Sequence, residues 1–276
     1  MQQTTIAKAI AYTGIGLHSG QDVTIMIKPA PPDTGIVFAR IDLPGTPQVA
    51  AKAKNVTNAM RATTLEDGLA KVFTVEHLLA AFFAMEVDNC LVEIDAVEPP
   101  VADGSSLPFV QMIQEAGVVE QNASRHFVSA TEAQTVRVDD KFITILPYNG
   151  FRITFTSINS HPMLGVQFGD YEITRDTFIS EIASARTIGF MHEVEQLKSQ
   201  GLALGGSLEN AVVYDDVKAL TPLRFQDELV RHKILDIIGD LALAGRIRGH
   251  VIAVKSSHAL NTALAKKIVD HILVRS

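Results

Sequence analysis

Apolar residues recur at helical spacing in three stretches of the chain. Residues 227–241 contain no proline and begin with Asp227 as a plausible cap; their apolar face consists of Val230, Ile234, Ile237, Ile238 and Leu241. In residues 73–85 the same spacing follows Thr74, a candidate N-cap. In residues 105–117 it runs from two serines, through Pro108 in the first turn, to Gly117. These patterns predict three helices.

Short apolar runs separated by turn residues predict strands around these helices. In the first half they occupy residues 9–12, 23–28, 36–40 and 89–95, and in the second half residues 135–138, 142–146, 151–156 and 249–255. The pair Asn149-Gly150 indicates a hairpin between the strands that flank it. A last helix is expected after Ser256-Ser257.

Both halves follow one plan, which is strands, a helix, a strand, a Ser-Ser pair and a helix. The halves share too few residues to form a sequence repeat, so the plan predicts similar architecture only. We expect an α+β fold of two similar domains, residues 1–124 and 125–276, each a mostly antiparallel sheet layered with helices. The polar residues 120–125 are interpreted as the linker. Residues 182–206 have no counterpart in the first half and are interpreted as an insert.

The predicted helix at 227–241 carries a polar line on an otherwise apolar rod. His232, Asp236 and Asp240 follow each other at steps of four residues, which places them on one face. The line fits a solvated stripe, or a site in which His232 and Asp236 give a nitrogen and an oxygen to one divalent metal. Asp240 would lie about 12 Å along the helix from His232, too far to bind the same ion.

A second acid and histidine pair, Glu76-His77, opens the predicted helix of the first half. A carboxylate in a first turn also suits the helix dipole, and a lone histidine can be a satisfied core residue. If the two helices face each other, however, His77 can meet His232 and Asp236, and the metal site lies between the domains. A turn around His18, at residues 16–20, either cradles a phosphate or serves backbone geometry.

Composition narrows the protein classes that fit the chain. Of its 276 residues 47% are hydrophobic and 20% charged, enough for a sizeable core, and the net charge of −7 argues against a nucleic-acid partner. No apolar run reaches the roughly 20 residues of a membrane span, and the N-terminus lacks signal-peptide features. We therefore expect a cytoplasmic protein without an integral membrane segment. The single cysteine, Cys90, is interpreted as a core residue.

Five motifs, in chain order, resemble those of the UDP-3-O-acyl-N-acetylglucosamine deacetylases. They are Gly-Leu-His-Ser-Gly at 16–20, Thr-Val-Glu-His-Leu at 74–78, Ala-Arg-Thr at 185–187, His-Lys-x-x-Asp-x-x-Gly-Asp at 232–240 and Lys-Ser-x-His-Ala-Leu-Asn at 255–261. The resemblance implies a zinc-dependent hydrolase that removes the acetyl group from UDP-3-O-(3-hydroxyacyl)-N-acetylglucosamine. This reaction is the committed step of lipid A biosynthesis in Gram-negative bacteria.

The resemblance also implies roles for individual residues. His77, His232 and Asp236 match the ligands of one zinc ion, for which iron(II) is an alternative, Glu76 the general base and His258 the general acid. Asp240 matches the carboxylate that holds His258, and Thr187 the hydroxyl near the scissile carbonyl. The expected substrate contacts are Lys233, Lys255, Phe155, Ile188 and His18. The implied partner is the UDP-sugar lipid, with transient association to a membrane surface as a further expectation.

Two positions depart from the family pattern. Ile188 stands where many relatives carry an aromatic residue, which is expected to change stacking of the nucleotide or of an inhibitor. Ala62 stands where some relatives have a cysteine beside the metal, so no sulfur ligand is expected. The insert at 182–206 resembles the segment that forms an apolar passage for the acyl chain.

The chemistry of this residue set agrees with amide hydrolysis. Two neutral imidazoles and one carboxylate leave a divalent ion an open position, at which it can polarise a carbonyl and lower the pKa of water. Adjacent helical residues diverge by about 100°, so Glu76 can take a proton beside the ion rather than bind it. Two alternatives stay open: a metal-stabilised carbohydrate-binding or scaffold protein, and a zinc peptidase or other amidohydrolase, which the lack of His-Glu-x-x-His disfavours.

Overall fold

Each half of the chain contributes one five-stranded sheet path and the helices that cover it, in a computed structural model that describes residues 1–275. The strands of the first half are β1 (Gln2–Ile6), β2 (Ile10–Ile15), β3 (Asp22–Pro29), β4 (Ile36–Arg40), β5 (Gln48–Ala50), β6 (Val56–Asn58), β7 (Thr64–Asp67), β8 (Ala70–Phe73), β9 (Cys90–Ile94) and β10 (Val118–Ser124). Its helices are α1 (Glu76–Ala84) and α2 (Leu107–Ala116), with a 3₁₀ turn at Ala53–Asn55.

The second half has eight strands and four α-helical segments among the described residues. The strands are β11 (Phe127–Ser129), β12 (Gln134–Val138), β13 (Lys141–Leu146), β14 (Phe151–Ile158), β15 (Val166–Glu172), β16 (Ile188–Phe190), β17 (Val212–Tyr214) and β18 (Arg246–Val254). The helices are α3 (Arg175–Thr177), α4 (Met191–Ser199), α5 (Glu228–Ala242) and α6 (His258–Arg275), with a π-helical turn at Phe178–Ile182 after α3.

The two main sheets share one topology. The first has the strand order β2-β3-β9-β4-β5, and the second has β12-β13-β18-β14-β15, with β11 also paired to β18. In both paths the central strand, β9 or β18, is parallel to one neighbour, and the other pairs are antiparallel. In both, a helix precedes the central strand and another follows it. The predicted α+β fold of two similar, mostly antiparallel units is therefore confirmed.

Helices α1 and α5 pack directly against each other and bring the two halves together. Their apolar faces lie in one continuous core that includes Leu78 and Phe82 of α1 and Ile234 and Ile238 of α5. At the crossing, Gly239 lies so close to α1 that a Cβ atom there would be 2.0 Å from the Glu76 carbonyl oxygen. A glycine is thus required where the two helices meet. Among residues 1–275, no helix is long and apolar enough to cross a membrane.

The interpretation of residues 120–125 as a linker is wrong. Residues 118–124 form β10, which pairs antiparallel with β1. The polar side chains of this segment form hydrogen bonds within the fold: the Gln121 amide donates to the Ala30 carbonyl at 2.8 Å, and Arg125 Nε, just after the strand, donates to Asp88 at 2.8 Å. The domain boundary after residue 124 stays a prediction.

The hairpin predicted at Asn149-Gly150 is also wrong. Strand β18 lies between β13 and β14 and pairs with both, so the two strands that flank this turn are not neighbours. The residue order of the turn cannot reveal a strand that arrives about a hundred positions later. By contrast, the turn at Asp139-Asp140 does join the paired strands β12 and β13.

Helix starts agree with the predictions in position but not in capping chemistry. Val75, not Thr74, is the cap residue of α1, and the Thr74 hydroxyl donates to Glu98 Oε2 at 3.0 Å. Asp227 and Ser106 occupy the cap positions of α5 and α2 without a side-chain cap bond. The Ser106 hydroxyl instead donates to the His77 carbonyl at 2.7 Å, and this bond connects α2 to α1. Cys90 is fully buried in β9, as expected for a core residue.

Candidate active site

Three ligand-bearing side chains converge between α1 and α5. His77 Nε2 lies 3.6 Å from Asp236 Oδ1, and His232 Nε2 lies 3.4 Å from the same oxygen. All three residues are at most 5% exposed, and one ligand atom from each lies within 4.8 Å of the others. This burial excludes the solvated-stripe interpretation of the polar line on α5.

The second atoms of these side chains are fixed by the protein. His232 Nδ1 donates to the Ala185 carbonyl at 3.0 Å, and this tautomer turns a lone pair on Nε2 toward Asp236. Lys233 Nζ donates to Asp236 Oδ2 at 2.8 Å. Asp236 Oδ1 is buried without a hydrogen-bond partner. A buried carboxylate oxygen rarely stays unpaired, so this atom, with two imidazole nitrogens facing it, fits a bound divalent cation.

The protonation states also suit metal binding. Burial lowers the pKa of His232 to about 3, so its imidazole is neutral at pH 7. Burial alone would raise the pKa of Asp236, but the neighbouring charges of Lys233 and His258 hold it well below its usual range. A neutral imidazole and an ionised carboxylate are the forms that bind metal.

A second group, formed by Glu76, Asp240 and His258, lies beside the three ligands. His258 Nδ1 is 2.9 Å from Asp240 Oδ2, and His258 Nε2 lies 3.8 Å from Glu76 Oε1 and 3.9 Å from Asp236 Oδ2. Burial raises the pKa of Glu76, although His258 and His77 oppose the rise. Burial would lower the pKa of His258, but Asp240, Asp236 and Glu76 together raise it to about 10.

The three ligand residues, together with Glu76 and His258, line one cavity of about 720 Å³. All the substrate-contacting residues predicted from the sequence lie in its wall, namely His18, Phe155, Thr187, Ile188, Lys233 and Lys255. The two lysines differ in their partners, since Lys233 bonds to the buried Asp236 whereas Lys255 Nζ reaches the exposed Asp140 at 2.5 Å. The insert supplies apolar wall residues, among them Phe190, Met191, Val194 and Leu197.

The first residues of the insert are anchored to both halves. The Thr187 N–H donates to the Gly104 carbonyl at 2.8 Å, and the Thr187 carbonyl accepts from Val212 N–H at 2.8 Å. Next to it, Arg186 Nε forms a buried ion pair with Glu228 Oε1 at 2.8 Å at the start of α5. These contacts fix Thr187 in the cavity wall.

Two buried residues that support the site escaped sequence analysis. Thr63 bonds to both Glu76 and Asp240. Glu98 Oε1 accepts from the backbone N–H groups of His18 and Ser19, and Glu98 Oε2 accepts from Thr74, two residues before Glu76. Both lie outside helices and outside any periodic pattern. The positive φ of 56° at Thr74, which the sequence does not reveal, marks the strained turn that Glu98 holds.

Known proteins match this chain over nearly its whole length. A family model described as UDP-3-O-acyl N-acetylglycosamine deacetylase matches residues 3–270. A protein named UDP-3-O-acyl-N-acetylglucosamine deacetylase from Thioalkalivibrio sulfidiphilus is 44% identical over 274 residues, which cover 98% of this chain and 90% of that protein. Proteins of the same name from Geobacter sp. strain M21 and Haemophilus influenzae strain PittEE are 46% and 45% identical, over 97% and 98% of this chain and 88% and 90% of their own lengths. The chain therefore belongs to the UDP-3-O-acyl N-acetylglycosamine deacetylase family.

Proposed function

We propose that this chain hydrolyses the acetamide of UDP-3-O-(3-hydroxyacyl)-N-acetylglucosamine to give UDP-3-O-(3-hydroxyacyl)-glucosamine and acetate, the committed step of lipid A biosynthesis. One observation carries the proposal. The three ligand atoms of His77, His232 and Asp236 lie in the same cavity as the buried pair Glu76 and His258. The relatives bear the name of this deacetylase, which supports the substrate.

The cation proposed at the three ligands is one zinc ion per chain, with iron(II) as the alternative. Two imidazole nitrogens and a carboxylate oxygen suit either metal. When bound, such a cation would polarise the amide carbonyl and lower the pKa of water. The orphaned Asp236 Oδ1 atom supports this assignment, because a cation would satisfy it.

Glu76 is proposed as the general base. Its side chain leaves the first turn of α1 beside His77 and is 3% exposed, so bulk water does not stabilise its charge. Burial raises its pKa, which strengthens a carboxylate as a proton acceptor near neutral pH. Glu76 would take the proton of the attacking water while the oxygen of that water bonds to the acetyl carbon.

His258 is proposed as the general acid. Its Nδ1–H is held by Asp240 at 2.9 Å, so Nε2–H points toward the side where Glu76 and Asp236 lie. The pKa of about 10 keeps the ring protonated at pH 7, and a cation on Asp236 would lower this value by neutralising one nearby carboxylate. His258 would protonate the sugar nitrogen as the C–N bond breaks, and acetate and the amine leave.

The cavity supports a substrate with a polar head and a long apolar tail. Thr187 lies in its wall, and its hydroxyl is proposed to contact the scissile carbonyl. Lys233, Lys255 and His18 are proposed to face the UDP-sugar, and Phe155 and Ile188 to pack against it. The apolar residues of the insert are proposed to enclose the acyl chain. The cytoplasmic location and transient contact with a membrane surface stay predictions.

The test is acetate release from the UDP-sugar lipid by the zinc-loaded protein. Glu76→Gln and His258→Gln should each lower kcat on the order of 10²-fold or more while zinc stays bound. The matched controls are Glu93→Gln, which removes a surface ion pair with Lys28, and His250→Gln, whose ring bonds to Thr154 on a sheet face. Both controls should retain wild-type kcat. Full activity of Glu76→Gln or His258→Gln would refute the assigned role, and an inactive wild type would refute the function.

A further inference from the structure

Thr63 lies between the two proton-transfer residues although it belongs to neither sheet path. It is the last residue of the loop between β6 and β7, it follows Ala62, and its exposed fraction is 0%. A threonine in a surface loop would ordinarily leave its hydroxyl in water. Here the hydroxyl and the backbone N–H both donate hydrogen bonds to carboxylates of the site.

Each half of the site receives one hydrogen bond from Thr63. The Thr63 backbone N–H donates to Glu76 Oε2 at 3.1 Å, in the first half. The Thr63 hydroxyl donates to Asp240 Oδ1 at 2.5 Å, in the second half. Thr63 and Asp240 are thus 177 positions apart in the sequence but directly hydrogen-bonded. It joins the carboxylate proposed as base to the carboxylate that holds the proposed acid.

The bond to Asp240 defines how that carboxylate is turned. Asp240 Oδ2 accepts from His258 Nδ1 at 2.9 Å and from Asn261 Nδ2 at 2.9 Å. A carboxylate rotates easily about its last bond, because that torsion is broad and roughly two-fold. With Thr63 on Oδ1, the plane of the carboxylate is fixed and Oδ2 faces the histidine ring. Loss of the hydroxyl would leave a buried carboxylate oxygen without its donor.

We infer that Thr63 is a positioning residue for the acid–base pair, acting through Asp240 on the orientation of His258. Thr63 is not one of the residues that line the cavity, and it reaches the site only through its hydrogen bonds to Glu76 and Asp240. The backbone N–H fixes Glu76 whatever the side chain is, whereas the hydroxyl fixes Asp240. Substitution of the side chain therefore separates the two contacts. This inference rests on the proposed deacetylation.

The test compares Thr63→Val, which keeps the shape and removes the hydroxyl, with Thr63→Ser, which keeps the hydroxyl. On the zinc-loaded full chain, kcat of Thr63→Val should fall on the order of tenfold with KM within about twofold, because a misaligned acid weakens the transition state and not substrate binding. Thr63→Ser should recover most of the wild-type kcat. If Thr63→Val does not fold, Thr63→Ala takes its place.

Two further measurements separate positioning from simple destabilisation. In a His258→Gln background, Thr63→Val should lower kcat no further, because the residue through which it acts is gone. Thr5→Val is the matched control: Thr5 is a buried threonine whose hydroxyl bonds to the Asn89 carbonyl at 2.7 Å, and its kcat should equal that of wild type. Zinc content, measured for every variant, should stay at the wild-type value.

The outcomes distinguish this inference from the function on which it rests. An active wild type with unchanged kcat in Thr63→Val overturns the positioning role alone. Multiplying effects of Thr63→Val and His258→Gln also overturn it, because independent defects add in free energy. A wild type that releases no acetate overturns the function itself.

Discussion

Gly239 is the position at which a single added carbon tests whether the metal site depends on the approach of α1 to α5. In Gly239→Ala the new Cβ atom would lie 2.0 Å from the Glu76 carbonyl oxygen and 2.7 Å from the Glu76 carbonyl carbon. Real Cβ atoms essentially never approach closer than 3.0 Å, so the helices must separate by roughly 1 Å. The obstacle is backbone, which a side-chain rotation cannot relieve.

The separation acts on the ligand set because its members lie on different helices. His77 lies on α1, whereas His232 and Asp236 lie on α5, and their nitrogen-to-oxygen distances are now 3.6 and 3.4 Å. A ligand set tolerates deviations of only about 0.2 Å, so a 1 Å shift should weaken zinc binding on the order of 10²-fold. Stability is a weaker readout, because overpacking costs about 1–3 kcal/mol while alanine gains up to about 1 kcal/mol of helix propensity.

The assay is zinc affinity measured by competition with a chromogenic chelator. Ala242→Gly, at the last residue of the same helix, is the matched control, since it weakens helix propensity without adding an atom. It should bind zinc as wild type does. If Gly239→Ala binds zinc as tightly as wild type, the claim that the helix approach builds the site is refuted.

Two further predictions concern stability. Arg186→Met should lower the free energy of unfolding, measured in urea, by about 3–5 kcal/mol, because Glu228, 1% exposed, loses its ion-pair partner. The double variant Arg186→Met with Glu228→Gln should recover part of this loss. An Arg186→Met variant within about 1 kcal/mol of wild type would contradict the prediction. Burial, together with the charge of Arg61, lowers the pKa of His18 in the folded chain to about 4. As the pH falls from about 6.5 toward 4, His18 is therefore protonated in the unfolded chain before it is protonated in the folded chain, and the free energy of unfolding decreases in that window. Between pH 7 and 5, chelator-treated wild type should lose about 2 kcal/mol more than His18→Gln; equal losses would contradict the neutral buried histidine.

Sequence reasoning located the helices and the polar line because both depend on local spacing. His232, Asp236 and Asp240 repeat every four residues on a helix, and the spacing alone separated Asp240 from the ligand pair. The structure places Asp240 on His258, at 2.9 Å, and keeps it out of the ligand group. Glu76-His77 could be joined to that line only by assuming that the two halves pack through their helices, which they do.

What sequence reasoning missed depends on contacts between distant positions. The polar strand β10 resembles a linker until β1 is placed beside it. The turn at Asn149-Gly150 resembles a hairpin until β18 enters between its strands. Thr63 and Glu98 are isolated polar residues whose importance comes from partners 177 and 80 positions away, and no local pattern reports such pairing.

Zinc content and acetate release measured on the same preparation test the central claim most directly. The protein should hold one zinc ion per chain and release acetate from the UDP-sugar lipid, and a chelator should remove both properties while the fold is kept, since the core does not depend on the ion. Restored zinc should restore activity. A preparation that holds its metal and folds but releases no acetate would contradict the account.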